Sequence, residues 1–236
     1  MRMLEYSYDE YYWVDLFDYM YEKGIDIHHV SSEYASFDFY LRTLGLFKEK
    51  FPFKVIRHLV KLAEPHFDSD TFDPELFFNK VKYYLKNLSS DQIWGVQWMW
   101  RGDLKFEEKR IESFTGNFNL IYETVKNCKK KSLFEGFYLF PYTDTFCSSS
   151  HELNIGLSIP LFDGLTIYRN LKEMEFDGFL NYFSNNIIIR PLNSGNLDKK
   201  INKKDAFDFS VNHPNIDYAI VSISSREKLN ELIYGL

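Results

Sequence analysis

Asn185-Asn186-Ile187-Ile188-Ile189-Arg190-Pro191-Leu192-Asn193-Ser194-Gly195-Asn196-Leu197 is the stretch whose reading decides the fold. Ile187, Ile188 and Ile189 run together without alternation, the pattern of a strand covered on both faces. Pro191-Leu192 ends the run, and Asn193, Ser194 and Gly195 make a polar turn. A doubly buried strand that empties at once into a glycine-containing loop is how a parallel α/β sheet builds a site at the carboxyl ends of its strands.

Working outward, the same unit repeats. Trp13, Leu16, Phe17 and Met20 recur at helical spacing, with a capping box at Ser7 and Glu10 and a stop at Gly24. A short strand follows at Ile25 to Val30, then a helix at Ser36 to Lys50 and a strand at Phe53 to Leu62. Asp73-Pro74 opens the next helix, with proline where its missing N–H costs nothing. Further strands are expected at Ile93 to Trp98, Phe134 to Phe140, Gly164 to Tyr168 and Tyr218 to Ser222. Helices are expected at Asn119 to Lys130, Glu173 to Phe183 and Asp205 to Val211. A last helix starts at Ser225, with a second capping box at Ser224 and Glu227. The segment Asp144 to Ile159 gives no clear signal. Strict alternation of strand and helix argues for a parallel sheet with helices outside. No GxGxxG follows any strand, which removes the main argument for a doubly wound nucleotide fold. The expectation is one domain over residues 1–236, a (β/α)8 TIM barrel whose first strand is residues 1–7, degenerate, or missing.

The chain has 236 residues, enough for one such domain. With 23 Phe and 17 Tyr, aromatic rings carry much of the packing that Leu and Val usually supply. The formal net charge of −6, with no basic arm, argues against nucleic acid as a partner. No apolar run reaches the ~20 residues that span a bilayer, and the amino terminus lacks the apolar core of a signal peptide. The two cysteines, Cys128 and Cys147, form neither a metal pattern nor a disulfide framework. A cytoplasmic protein is the expectation, and its oligomeric state is left open. His28 and His29 suggest a metal at first sight, but adjacent strand residues face opposite ways, so no metal site is expected. Trp94, Trp98 and Trp100 share the parity of one strand face and are read as packing.

Several segments, in order, resemble the aldo/keto reductases, NAD(P)H-dependent carbonyl reductases built on a (β/α)8 barrel. Gly24 to Tyr34 resembles G-x4-D-T-A-x2-Y, Val55 to Lys61 the strand that ends in the family's lysine, and Leu85 to Trp100 the helix end and strand that lead to its histidine. Pro191 to Leu197 resembles P-L-x-x-G-x-L, and Ala206 to Leu229 resembles the last strand with its cofactor turn. The resemblance covers about residues 8 to 234. It implies Tyr34 as general acid and Lys61 as the cation that lowers its pKa. His29 stands where the family has an aspartate, and Met99 where it has a histidine.

A phenol near pKa 10 donates poorly at neutral pH until a cation lowers it, so the Tyr34–Lys61 pair makes chemical sense. Nothing in the family pattern is left to hold the lysine in place. For the cofactor, NADP or NAD, the resemblance implies Asn170 at the nicotinamide amide. It places Pro191, Leu192, Asn193, Ser194 and Gly195 over the pyrophosphate, and Ser222, Ser224, Ser225 and Arg226 at the adenosine phosphate. A helix amino terminus there favours an anion. Ser224 replaces an arginine common in the family, so a preference for NADP over NAD is weak. Three readings follow. One is a reductase of a small-molecule carbonyl; another is a barrel that has lost the reaction and serves as a binding or scaffold module; the third, a (β/α)8 lyase or isomerase, has no motif of its own here.

Overall fold

The computed structural model describes residues 3, 8–62, 67–68, 71–99, 107–140, 160–198 and 200–234. Ser7, Trp100 and the segment 144–159 lie outside the described residues. Helix α1 (Glu10–Glu22) is capped by Asp9, whose carboxylate accepts the Tyr12 N–H at 2.9 Å. It buries Trp13, Leu16, Phe17 and Met20, the stripe read from the sequence. Gly24, at φ +78, closes it in the left-handed conformation that glycine adopts freely. Strand β1 (Ile27–Val30), helix α2 (Phe37–Lys50) and strand β2 (Arg57–Leu62) follow. The strand expected from Phe53 starts later, at Arg57, because Phe53 and Val55 are 95% and 66% exposed in the connection before it.

A two-residue-per-strand hairpin, β3 (Phe67–Asp68) with β4 (Thr71–Phe72), leads to α3 (Pro74–Asn87). Asp73 caps α3 by accepting from the Glu75 and Leu76 N–H groups. Then come β5 (Ile93–Met99), α4 (Glu107–Lys130), β6 (Phe134–Phe140), β7 (Gly164–Tyr168), β8 (Asn186–Ile189), α5 (Lys203–Val211), β9 (Ile216–Ile220) and α6 (Arg226–Tyr234). The helix expected over Glu173–Phe183 is only a 3-10 turn, Asp177–Tyr182. Its first residues are diverted: Glu173 pairs with Asn170 in an antiparallel bridge, and Asp177 gives its carboxylate to Arg169. The last helix is capped by Ser225, not Ser224, through the Lys228 N–H.

All seven long strands are parallel and stand in chain order, β1-β2-β5-β6-β7-β8-β9. A doubly wound sheet reverses its order at a switch point; this one never does. The sheet curls, since Ile27 of β1 and Ile220 of β9 pack on one interior cluster with Leu59, Trp94, Tyr138 and Ile187. Tyr138 fills that interior because Gly95, Gly136 and Gly164 surround it; a Cβ on Gly136 would lie 2.5 Å from its ring. Asn186, fully buried, locks three strands. Its oxygen accepts the Leu165 N–H, and its amide donates to the carbonyls of Leu180, Phe183 and Asn215.

The edges β1 and β9 do not pair with each other, and no strand precedes α1 among the described residues. A seam therefore runs between them. Helix α1 lies outside it, bonded to α6 through Tyr19–Asn230 and packed on α2 through Phe17 and Phe47. The larger core lies between the sheet and the helices. Trp98 belongs there, stacked on Phe137 and Phe162, whereas Trp94 stacks on Tyr138 in the interior, so these two tryptophans, expected on one strand face, part company. No described helix is long and apolar enough to cross a membrane.

Candidate functional site

The carboxyl ends of β1 and β2 bring His29, Tyr34 and Lys61 together. Lys61, on β2, holds its ammonium 5.6 Å from the centre of the Tyr34 ring, and the His29 and Tyr34 rings meet edge-on at 6.1 Å. The ammonium is not left loose. Glu33, next to Tyr34, pairs with it at 3.5 Å, both side chains being largely covered (24% and 14% exposed). Tyr84, buried on α3, ties the two segments together. Its hydroxyl donates to the Lys61 carbonyl at 3.1 Å and accepts from the Ser32 N–H at 2.8 Å.

His29 points into the sheet's interior and His28 away from it, as strand alternation requires. His29 Nε2 lies 2.8 Å from Oε1 of Gln97, a buried residue of β5. That bond puts the ring proton on Nε2 and leaves Nδ1 as a lone pair. Burial pushes the His29 pKa down to about 4, so the ring is neutral at physiological pH. On the other face, the Tyr40 hydroxyl bridges His28 Nδ1 (3.1 Å) and His58 Nε2 (2.9 Å). Burial lowers both imidazoles to about 3.

Tyr34 departs from the family logic. Burial first, then the charge of Glu33, pushes its hydroxyl up to about 12. Lys61 sits against the ring face and is neutralised by Glu33, so it does not lower the phenol as the resemblance implied. Glu33, Gln97 and Tyr84 were not singled out from the sequence. Glu33 had a signal, a carboxylate beside the candidate tyrosine. Gln97 is placed by strand register, directly opposite Lys61. Met99 ends β5, and its side chain lies outside the described residues.

The candidate cofactor residues are more scattered. Asn170 is fully buried and engaged by its own neighbours. Its amide donates to Glu173 and to the Arg190 carbonyl, and its oxygen accepts the Lys172 N–H. Asn193, Ser194 and Gly195 form a tight turn at φ 45, 54 and 84, and the N–H groups of Asn193 and Gly195 bond to Arg190 and Leu192. The Pro191 carbonyl accepts the Ser210 hydroxyl. Ser222 lines a large cavity; Ser224 is buried and accepts from Lys228 Nζ at 2.6 Å. Arg226 turns outward, over the Tyr19 ring and toward the Asp15 carbonyl. The cation of this turn is therefore Lys228.

A cavity of about 970 Å³ joins these parts. His29, Glu33, Tyr34, Arg190 and Ser222 line its upper end, and Ile27, Trp94, Tyr218 and Ile220 line its apolar length along the seam. Among the described residues, no group of three or more His, Cys, Asp or Glu is placed to hold a metal ion.

No family model matches the sequence, and no curated protein does either. Solved structures do. The chain superimposes on an aldo/keto reductase from Klebsiella pneumoniae in complex with NADP and acetate with a TM-score of 0.68 at 12% identity, covering 98% of this chain and 81% of that one. For the thermostable aldo-keto reductase Tm1743, in complex with the inhibitor epalrestat, the TM-score is 0.67 at 13% identity, with 95% and 81% covered. For aldo-keto reductase AKR11C1 from Bacillus halodurans it is 0.64 at 10% identity, with 96% and 81% covered. These likenesses define an α/β class of parallel, singly wound sheets. Within it, the chain shares the fold of these aldo-keto reductases at 10–13% identity.

Proposed function

We propose that the protein is a nicotinamide-nucleotide-dependent oxidoreductase that reduces the carbonyl of a small molecule. The observation that carries this is that Tyr34 and His29 meet on the wall of one large cavity, with the Lys61 ammonium against the Tyr34 ring beside it. The same reading takes the seven described strands as the greater part of a (β/α)8 barrel.

The donor set suits the nucleotide at its phosphate end better than at its nicotinamide end. Ser222, Ser225 and Lys228 offer hydroxyls and a cation at the amino terminus of α6, where an anion is favoured. NADP and NAD are both compatible with that set, the cation favouring NADP. Asn170 is satisfied by Glu173 and Arg190, so the nicotinamide amide would be held by other groups. Bound there, the nucleotide would supply the hydride. Tyr34 would donate a hydrogen bond to the carbonyl oxygen and its proton to the oxygen as negative charge develops. A phenol held near 12 keeps its proton across the working range but gives it up less readily than one lowered by a cation, so reduction through Tyr34 would be slow and alcohol oxidation, which needs the phenolate, slower still. Glu33 would fix Lys61 against the ring, the task that His29 cannot perform.

The raised Tyr34 pKa and the engaged Asn170 favour a second reading, a fold that binds without reducing. Titration with NADPH and NADH, followed by tryptophan fluorescence, separates the two. Saturable binding in the micromolar range, with carbonyl-dependent oxidation of NADPH that Tyr34→Phe abolishes, supports the reductase. No binding of either nucleotide up to millimolar concentration would leave only the binding module.

A further inference from the structure

Arg190 is the residue whose placement the reading so far leaves unexplained. It follows the last residue of β8 and adopts φ +55, a conformation that side-chain-bearing residues avoid. The conformation is enforced. The Arg190 carbonyl accepts both the Asn170 amide (3.1 Å) and the Asn193 N–H (2.8 Å), and Asn170 is itself fully buried. The result is that the side chain swings over the Tyr168 ring, its guanidinium carbon 4.3 Å from the ring centre.

From there it lines the same cavity as Tyr34, His29 and Ser222. The other cations on the cavity side are spoken for: Arg57 is bidentate to Asp26, and Lys61 is paired with Glu33. Arg190 has no carboxylate partner among the described residues. An exposed guanidinium laid on an aromatic face at the wall of a cavity, with no carboxylate partner among the described residues, is suited to take an oxyanion in a forked pair of hydrogen bonds. Local strain of this kind is worth keeping where a ligand uses it.

We infer that Arg190 is an oxyanion-binding residue at the mouth of the cavity, taking a carboxylate or phosphate group of the molecule bound beside Tyr34. Assigning that group to a substrate rests on the oxidoreductase reading; the oxyanion site itself does not. Two sources share the chemistry, a carboxylate on the carbonyl substrate and a phosphate of the nucleotide.

The test compares wild type, Arg190→Gln and Arg190→Lys by isothermal titration with inorganic pyrophosphate and with NADPH. It adds initial rates on pyruvate and its uncharged counterpart, methyl pyruvate. The site requires pyrophosphate binding at least tenfold weaker in Arg190→Gln, with part of the loss recovered in Arg190→Lys. A parallel tenfold loss of NADPH affinity assigns the nucleotide phosphate. Unchanged NADPH affinity, with KM raised tenfold for pyruvate and not for methyl pyruvate, assigns the substrate carboxylate. Failure of wild type to bind pyrophosphate saturably, or equal binding by wild type and Arg190→Gln, overturns the inference. If wild type binds pyrophosphate but neither nucleotide, the oxidoreductase reading falls while the oxyanion site stands.

Discussion

Lowering the pH from 7.5 to 5.0 should weaken the fold through the His28–Tyr40–His58 cluster, well before the carboxylates titrate. Both imidazoles are buried and held near pKa 3, against about 6.5 in an unfolded chain. Below pH 6.5 the unfolded state therefore binds protons that the native state refuses. Each histidine removes about 1.4 kcal/mol of stability per pH unit from there down to its native pKa. At pH 5.0 that is roughly 2 kcal/mol each and roughly 4 for the pair, a large share of the ~5–15 kcal/mol that holds a domain together. His29, lowered to about 4, adds a similar amount over the same interval. The contribution is intact above pH 6.5 and falls as acid is added. Urea unfolding followed by tryptophan fluorescence at half-unit steps of pH measures the slope directly. His58→Gln keeps a hydrogen-bonding partner for Tyr40 and should reduce that slope by about 1.4 kcal/mol per pH unit. A flat stability between pH 6.5 and 5.0, or His28 and His58 resonances titrating near 6.5 in the native protein, would refute the reasoning.

Other outcomes are equally specific. Tyr84→Phe removes the hydroxyl that joins Ser32 to Lys61; unfolding should show a loss of about 1–3 kcal/mol, and kcat should fall more than KM rises. Gly164→Ala would drive a Cβ into the Asn185 carbonyl and the Tyr138 ring, so urea unfolding should register roughly 3 kcal/mol or more, the upper range for overpacking. Carbonyl reduction by the wild type should show no loss assignable to Tyr34 between pH 6 and 10, since its hydroxyl stays protonated to about 12. A fall in rate near pH 8 that Tyr34→Phe removes would contradict the placement of that phenol.

Local patterns read well where burial is symmetrical or capping is explicit. Phe134–Phe140 and Gly164–Tyr168 stand where the apolar runs place them, and Asp73-Pro74 and Gly24 punctuate helices as their chemistry dictates. Apolarity alone misled at Phe53 and Val55, which are exposed in a connection. Glu173 to Phe183 has helical spacing, but Asn170 and Arg169 capture Glu173 and Asp177 before a helix can form. Within the candidate site, spacing led to Tyr34 and Lys61. What surrounds them depends on contacts between distant segments: Gln97 reaches His29 across two strand pairings, and Tyr84 comes from a helix beyond the β3–β4 hairpin. The same contacts reversed the expected electrostatics of Tyr34, because a sequence motif records which residues are present but not how deeply each is buried.

Helix α1 acts as a clasp whose two jaws differ in their share of ion pairs. Toward α2 and the turn after it, ion pairs add to the Phe17–Phe47 packing, Lys50 to Asp15 at 2.8 Å, Lys54 to Asp18 at 2.6 Å and Arg42 to Glu10 at 3.2 Å. Toward α6 and the turn before it, uncharged hydrogen bonds, Tyr12 to the Ser224 carbonyl at 3.0 Å and Tyr19 to Asn230 at 2.7 Å, stand beside Lys23 to the Tyr234 hydroxyl at 3.1 Å and the Arg226 guanidinium over the Tyr19 ring. Dissolved salt screens the first set and leaves the second largely untouched. High salt should therefore loosen the α2 side of the clasp more than the α6 side, by no more than the small amount that exposed ion pairs contribute.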